Sequence, residues 1–211
     1  MLSALPIDYL VAATVTLVVV MDPLGLVPIF LAITQGIPKA ARRQVALRAT
    51  LIAAIILAGA ALIGDWLLRA LSISLPAFRI AGGLLLFSIA SEMVFGVRIR
   101  RQSQDAEKAI EEQVRNISAF PLAIPLMAGP GAITATVLLS GRAAGEPMLL
   151  ILLLGVIALA CLVCLALFLT AERIGTAVGA TVNVVLERLL GVLLAALAVQ
   201  FVVDGAKAIW G

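Results

Sequence analysis

Asp22-Pro23-Leu24-Gly25-Leu26-Val27-Pro28 interrupts an apolar run, residues 9–38, whose only charged side chain is Asp22. The two prolines and the glycine remove or weaken helical hydrogen bonds, and lipid offers no replacement for them. Such a break is tolerated in a membrane helix only where it faces other protein segments or a water-filled cavity. The stretch therefore predicts a membrane helix that is broken in its middle.

A second break lies in a later apolar segment, Pro121-Leu122-Ala123-Ile124-Pro125-Leu126-Met127-Ala128-Gly129-Pro130-Gly131. Pro130 is suited to the first position of a half-helix, where its missing N–H costs nothing. If the first span enters from outside near Ile7, Asp22 lies about 22 Å along it. If the fourth span enters from inside near Ser118, Pro130 lies about 18 Å along it. We therefore expect both breaks near the bilayer midplane.

The composition excludes an ordinary soluble protein. The chain has 211 residues, of which 63% are hydrophobic and 13% charged, and its mean hydropathy is +1.19; a soluble domain has about 25% charged residues. Six long apolar runs each reach the roughly 30 Å thickness of the hydrocarbon core. Histidine is absent, which excludes histidine bases, imidazole metal ligands and Ser-His-Asp triads. We expect an all-α integral membrane protein with six transmembrane helices, no enzymatic activity, no cofactor and no metal.

The distribution of positive charge predicts the orientation in the membrane. With the N-terminus outside, eleven of the fifteen Lys and Arg residues fall in inner segments and four in outer ones. The positive-inside rule then places both termini outside, on the side of the membrane opposite the cytoplasm. No basic patch with interleaved aromatic residues is present, so the expected partners are the lipid bilayer and a small solute, without nucleic acid.

An internal repeat divides the chain into residues 1–97, a cytoplasmic linker 98–117 with a solvated helix at Asp105–Arg115, and residues 118–211. Phe78–Val97 aligns with Glu187–Ala206, and the shared residues include Arg79 with Arg188 and Gly82 with Gly191. Because each half holds three spans, an odd number, the second half runs through the membrane inverted relative to the first. A single membrane domain of two inverted three-helix repeats is typical of secondary transporters.

Half-helices that meet in the membrane present free N–H groups to a carboxylate and free carbonyls to a cation, which suits a small zwitterion. Small-residue clusters also allow close packing within or between protomers, so an oligomer is possible. The predicted substrate-binding residues are those at the two breaks: Asp22, Pro23, Gly25, Gly129, Pro130, Gly131 and Thr134.

Asp22 is the acid expected near the bilayer centre, where insertion costs about 2.5–3.5 kcal/mol. Its carboxylate is suited to pairing with a substrate ammonium, carrying a coupling proton or binding sodium. An alternative role is to cap the second half of the broken helix. Glu92, close to the inner end of the third span, is the second candidate for ion coupling, or its carboxylate simply snorkels to the interface.

Four stretches of the chain resemble the MarC family of bacterial inner-membrane proteins, which includes the SnatA-type neutral amino acid transporters. The resemblance lies in Met21–Phe30, Phe78–Phe87, Pro121–Ile133 and Gly191–Asp204. It implies six membrane helices in the bacterial inner membrane, with both termini then in the periplasm. For the transporter members it also implies movement of glycine, alanine and other small neutral amino acids. One position departs from the family pattern: Leu26 stands where the family often has Asn, which would favour a more apolar ligand.

The leading hypothesis is an ion-coupled transporter or exporter of small neutral amino acids that works by alternating access. A passive channel or facilitator would use the same repeat, but its solute pathway would be open to both sides of the membrane at once. A non-transporting membrane subunit is the third alternative. An intramembrane aspartyl enzyme would need Asp22 and Asp204 within a few ångströms of each other, but we expect Asp204 near the outer end of its span.

Overall fold

The structure is a computed structural model that describes residues 7–98, 101, 104, 118–143, 145–173 and 180–210. These residues form eight helical elements. The predicted solvated helix at Asp105–Arg115 lies outside the described residues. The elements are α1 (Ile7–Met21), α2 (Leu26–Ile33), α3 (Lys39–Ala70), α4 (Leu75–Val94), α5 (Ser118–Met127), α6 (Pro130–Arg142), α7 (Pro147–Leu169) and α8 (Ala180–Trp210).

The first break separates α1 from α2, whose axes are bent by 41°. Asp22 adopts a left-handed backbone conformation, with φ of 49°, which Asp tolerates better than most side chains. Its N–H still donates to the Val18 carbonyl at 2.9 Å. Its carboxylate Oδ1 accepts from the Gly25 N–H at 3.2 Å, which closes the turn between the two helices. The predicted break in the first span is confirmed.

The second break separates α5 from α6. α5 is a π-helix, and its last hydrogen bond, from Ala128 N–H to the Ala123 carbonyl at 2.8 Å, spans five residues. Gly129 then adopts an extended conformation, with φ −79° and ψ 175°, and α6 begins with Pro130. The predicted position of Pro130 at the start of a half-helix is therefore confirmed.

α4 and α8 lie antiparallel and pack closely through glycines. A Cβ atom on Gly83 would lie 2.7 Å from the Ala198 carbonyl oxygen, and one on Gly205 would lie 2.8 Å from the Pro76 carbonyl oxygen. A Cβ on Gly191 would lie 2.9 Å from the Met93 Cβ. Small residues let helix backbones approach in this way inside a membrane.

The remaining helices enclose a core around the two breaks. α3 packs against α5, α6 and α7, while α1 packs against α6, α7 and α8. Large apolar side chains on the outer faces are exposed, including Leu51, Leu84, Leu162 and Leu189. Apolar outer faces of this extent suit contact with lipid.

Among the described residues, four helices are long and apolar enough to cross a membrane: α3, α4, α7 and residues 183–210 of α8. The bent pair α1 and α2 makes a fifth span if it is counted as one. The all-helical membrane architecture is thus confirmed, whereas six spans in two inverted repeats stay a prediction.

Candidate functional site

The N-terminus of α6 opens into a cavity of about 230 Å³. Gly129, Pro130, Gly131 and Ala132 form one wall of this cavity. Pro130 has no N–H, and the first intrahelical hydrogen bond of α6 runs from Ile133 N–H to the Gly129 carbonyl at 3.0 Å. The N–H groups of Gly131 and Ala132 precede that bond, so they belong to the free donors of a helix N-terminus. Such a terminus attracts anions.

Close packing surrounds the two glycines of this terminus, against backbone at Gly129 and against side chains at Gly131. A Cβ on Gly129 would collide with the Pro125 carbonyl oxygen. A Cβ on Gly131 would collide with Ile89 Cδ1 and would lie 3.1 Å from Val20 Cγ1. Val20 and Ile89, which also line the cavity, therefore lie directly against the start of α6.

Arg98 brings a positive charge to the same cavity. Its side chain lines the cavity and is buried, with only 5% exposed. Nη2 donates a hydrogen bond to the Val20 carbonyl at 2.6 Å. Nη1 is buried and has no hydrogen-bond partner among the described residues. Because Val20 contacts both Arg98 and the start of α6, the guanidinium adds its charge to the helix terminus.

Two buried acids lie within electrostatic range of Arg98: Asp22 and Glu187. Asp22 is 3% exposed and Glu187 is 2% exposed. In the part of the chain that the structure describes, Asp22 Oδ2 and Glu187 Oε1 have no hydrogen-bond partner. The site therefore combines two carboxylates with one guanidinium, and these acids favour a cation or a proton beside Arg98.

Glu92 lies at the edge of this site. Its Oε1 accepts a hydrogen bond from Arg101 Nη1 at 2.6 Å, and Arg101, whose side chain is 54% exposed, also lines the cavity. The pair is a partly exposed ion pair, and such pairs contribute about 0–1 kcal/mol to stability. The geometry fits a carboxylate that reaches the interface, and the role of Glu92 in ion coupling stays a prediction.

Apart from Thr134, the predicted substrate-binding residues fall into two groups. Gly129, Pro130 and Gly131 line the cavity. Pro23 and Gly25 are buried in the turn between α1 and α2, and neither they nor Asp22 form part of the cavity wall. The predicted residues from the first break thus lie outside the cavity wall, and Asp22 is linked to it by its electrostatic interaction with Arg98.

Two further side chains that the sequence singles out, Thr134 and Leu26, lie away from the cavity. Thr134 is buried on α6, with its Cγ2 atom 2.8 Å from the position of a Cβ on Gly82; its hydroxyl is thus on a helix packed against α4. Leu26 is fully buried at the start of α2. Neither residue is part of the cavity wall.

Sequence reasoning missed Arg98 and Glu187. It assigned Arg98 to the solvated linker, but the structure buries this side chain. The sequence around it is equally basic at Arg100 and Arg101, so nothing in the local pattern indicates that the Arg98 side chain is buried. Glu187 precedes Arg188 near the start of α8, where an acid beside a base usually indicates a solvated helix end. The long apolar segment that follows Glu187 is the signal that could have indicated a buried acid at this position.

Comparison with known proteins identifies the family. Residues 7–210 match the MarC family of integral membrane proteins. The chain belongs to this family. The resemblance carried by the two proline motifs is confirmed across almost the whole chain.

Curated relatives of this MarC-family chain are described only as membrane proteins. UPF0056 membrane protein MJ1677 of Methanocaldococcus jannaschii is 36% identical, over 95% of this chain and 97% of its own length. UPF0056 membrane protein YhcE of Escherichia coli is 38% identical, over 90% of this chain and 87% of its own. UPF0056 membrane protein YvbG of Bacillus subtilis is 33% identical, over 95% of both chains. No solved structure matches the chain.

Proposed function

We propose that this MarC-family protein is an ion-coupled secondary transporter of small neutral amino acids, of the glycine and alanine class. The observation that carries the proposal is the cavity at the N-terminus of α6, with buried acids beside it. Helix-terminus donors suit a carboxylate, and nearby carboxylates suit an ammonium. The cavity therefore offers donors for the acid end of a zwitterion, and the buried acids beside it offer negative charge for the ammonium end.

The size of the cavity supports a small substrate. Its volume of about 230 Å³ is below the roughly 300–1,000 Å³ of pockets for drug-sized ligands. Part of the cavity wall is apolar and consists of Val20, Ile89 and Met127. The hydrogen of glycine or the methyl group of alanine can pack against these residues without leaving a polar group unpaired. A basic side chain would lie against Arg98 and Arg101 in the same wall, where like charges repel.

Alternating access between two inverted halves is the proposed mechanism. In the described residues, each half consists of a broken pair followed by two long helices: α1 to α4, then α5 to α8. The contacts are reciprocal: α1 and α2 pack against α7, α5 and α6 pack against α3, and α4 packs against α8. This pattern supports halves related by a pseudo-twofold axis, which can rock about a shared site.

The proposed location is the bacterial inner membrane with both termini in the periplasm. The charge distribution of the loops supports this orientation. The part of the cavity wall formed by the exposed Arg101 then faces the cytoplasm. Asp22 is the proposed carrier of a coupling proton or sodium ion, and the proposal includes neither a catalytic step nor a cofactor.

Counterflow in proteoliposomes tests the proposal. Vesicles loaded with unlabelled glycine or alanine receive external radiolabelled glycine, with and without a pH gradient and with and without a sodium gradient. We expect transient, saturable accumulation of label that follows one of the two gradients. Protein-free vesicles and vesicles offered labelled lysine are the controls.

Two other outcomes would contradict the proposal. Non-saturable equilibration without counterflow would indicate a passive channel. No movement of any small neutral amino acid under either gradient would indicate a non-transporting membrane subunit.

A further inference from the structure

Arg98 is unusual among the described basic residues because its guanidinium is buried with one hydrogen bond. That bond goes to the Val20 carbonyl at 2.6 Å. Among the residues that the structure describes, no carboxylate oxygen lies within 4.0 Å of its nitrogens. Nη1 is therefore a buried, charged donor that has no described partner and that lines a cavity.

The position of Arg98 relative to α6 is defined through Val20. The Val20 carbonyl accepts from Arg98, and the Val20 side chain lies 3.1 Å from the position of a Cβ on Gly131. The guanidinium and the free N–H groups of Gly131 and Ala132 thus converge on one cavity. A guanidinium offers planar, paired N–H donors, which match the geometry of a carboxylate.

We propose that Arg98 binds the carboxylate of the substrate together with the N–H groups of Gly131 and Ala132. This inference rests on the proposed function and names the residue that recognises the acid end of the amino acid. Asp22 and Glu187 lie within electrostatic range of the same guanidinium. Their negative charges oppose a dianion such as phosphate, so the site selects a monoanionic carboxylate.

Equilibrium binding to the purified, full-length protein in detergent tests this assignment. Radiolabelled glycine is displaced by unlabelled glycine, by acetate, which lacks the ammonium, or by glycinamide, which lacks the carboxylate. Binding of acetate alone is followed by the thermal stabilisation it produces. We expect glycine and acetate to compete and glycinamide not to compete. This comparison uses the native chain, so it does not depend on the folding of a variant.

Arg98→Lys tests the residue itself. Lysine keeps the positive charge that offsets Asp22 and Glu187, but it loses the paired donors of the guanidinium. We expect glycine affinity to fall about tenfold or more, as for loss of a hydrogen bond to a charged group. The matched control is Arg48→Lys, because Arg48 is exposed on α3; its affinity should stay within about twofold of the native value.

Three results would overturn the assignment: glycinamide competes as well as glycine, Arg98→Lys binds glycine like the native chain, or no carboxylate binds the native chain. Failure of the proposed function is distinguishable. Acetate binding that depends on Arg98, in a protein that moves no amino acid, would support the carboxylate site and reject transport. Glycine transport that is unchanged in Arg98→Lys would support transport and reject the role of Arg98.

Discussion

Arg142 Nη2 donates a hydrogen bond to Asp204 Oδ2 at 2.8 Å, and this ion pair joins the end of α6 to α8. The Arg142 guanidinium also lies over the Phe201 ring, 4.7 Å from its centroid. α6 begins at the cavity and ends at this pair, a distance of about 18 Å along its axis. A shift of α6 would therefore move the cavity wall and this ion pair together.

We predict that Asp204→Asn opens the end of the protein that lies opposite the cavity entrance. Loss of a partly exposed ion pair costs the closed conformation about 1 kcal/mol of free energy. This changes the ratio of the open to the closed conformation roughly fivefold. The measurement uses Ile89→Cys in a background with Cys161→Ala and Cys164→Ala, which must first retain the native activity. An impermeant thiol reagent is applied from the side of the membrane on which Arg142 and Asp204 lie. It should label Cys at position 89 about fivefold faster in Asp204→Asn than in the same chain with Asp204.

Asp65→Asn is the matched control for this prediction. Asp65 pairs with Arg69 inside α3, so the same change of charge breaks an ion pair that does not involve α6. Equal labelling rates in Asp204→Asn and Asp65→Asn would show that the Arg142 pair does not hold the far end closed.

Asp22→Asn should abolish gradient-driven accumulation while exchange continues. The amide oxygen can still accept from the Gly25 N–H, as Oδ1 of Asp22 does, so the turn between α1 and α2 should persist. The amide cannot bind a proton or offer a negative charge to sodium. Counterflow with and without each gradient measures the effect, and normal uphill transport by this variant would remove Asp22 from coupling.

Glu187→Gln should strengthen binding of carboxylates. The Glu187 carboxylate is buried within electrostatic range of Arg98, so it repels an anion at the guanidinium. Removing one nearby charge at an effective dielectric of about 20 is worth on the order of 1 kcal/mol, or about a fivefold gain in acetate affinity. Acetate-induced thermal stabilisation measures it.

Glu172→Gln is the control for that measurement, because Glu172 pairs with Lys39 and Arg42 at the start of α3. Its acetate affinity should match that of the native chain. A loss of acetate affinity in Glu187→Gln would mean that Glu187 holds Arg98 in place for the ligand instead of repelling it.

Gly131→Ala should destabilise the protein through packing. Its Cβ would collide with Ile89 Cδ1, and overpacking costs roughly 1–3 kcal/mol, which exceeds the gain of about 1 kcal/mol from replacing a helical glycine. Thermal unfolding in detergent should show a lower Tm. Ile89→Val in the same chain should restore part of the loss because it removes Cδ1.

The control for Gly131→Ala is Gly155→Ala, where a Cβ meets nothing within 4 Å, so its Tm should not fall. An unchanged Tm for Gly131→Ala combined with weaker glycine binding would show that Gly131 is needed by the ligand and not by the packing of α6.

The fold could be predicted where the responsible signal is local. Asp22, Pro23 and Gly25 break the first helix, and Gly129 with Pro130 starts α6, because proline and glycine act on the backbone whatever their neighbours are. The site was predictable only in part. Gly129, Pro130 and Gly131 line the cavity, whereas Thr134 packs beside α4, because the face that a helical residue presents depends on which helix lies next to it.

The sequence by itself determined that this chain is an all-helical membrane protein with two broken helices. Apolar length and the positions of proline and glycine are sufficient for that, since a continuous apolar run of about 20 residues satisfies its own backbone hydrogen bonds in lipid by forming a helix. Only the tertiary structure decided that Arg98 turns inward and that Glu187 lies within its electrostatic range. Arg98 reaches the carbonyl of a residue 78 positions earlier in the chain, and such a pairing arises from helix packing that no local pattern encodes.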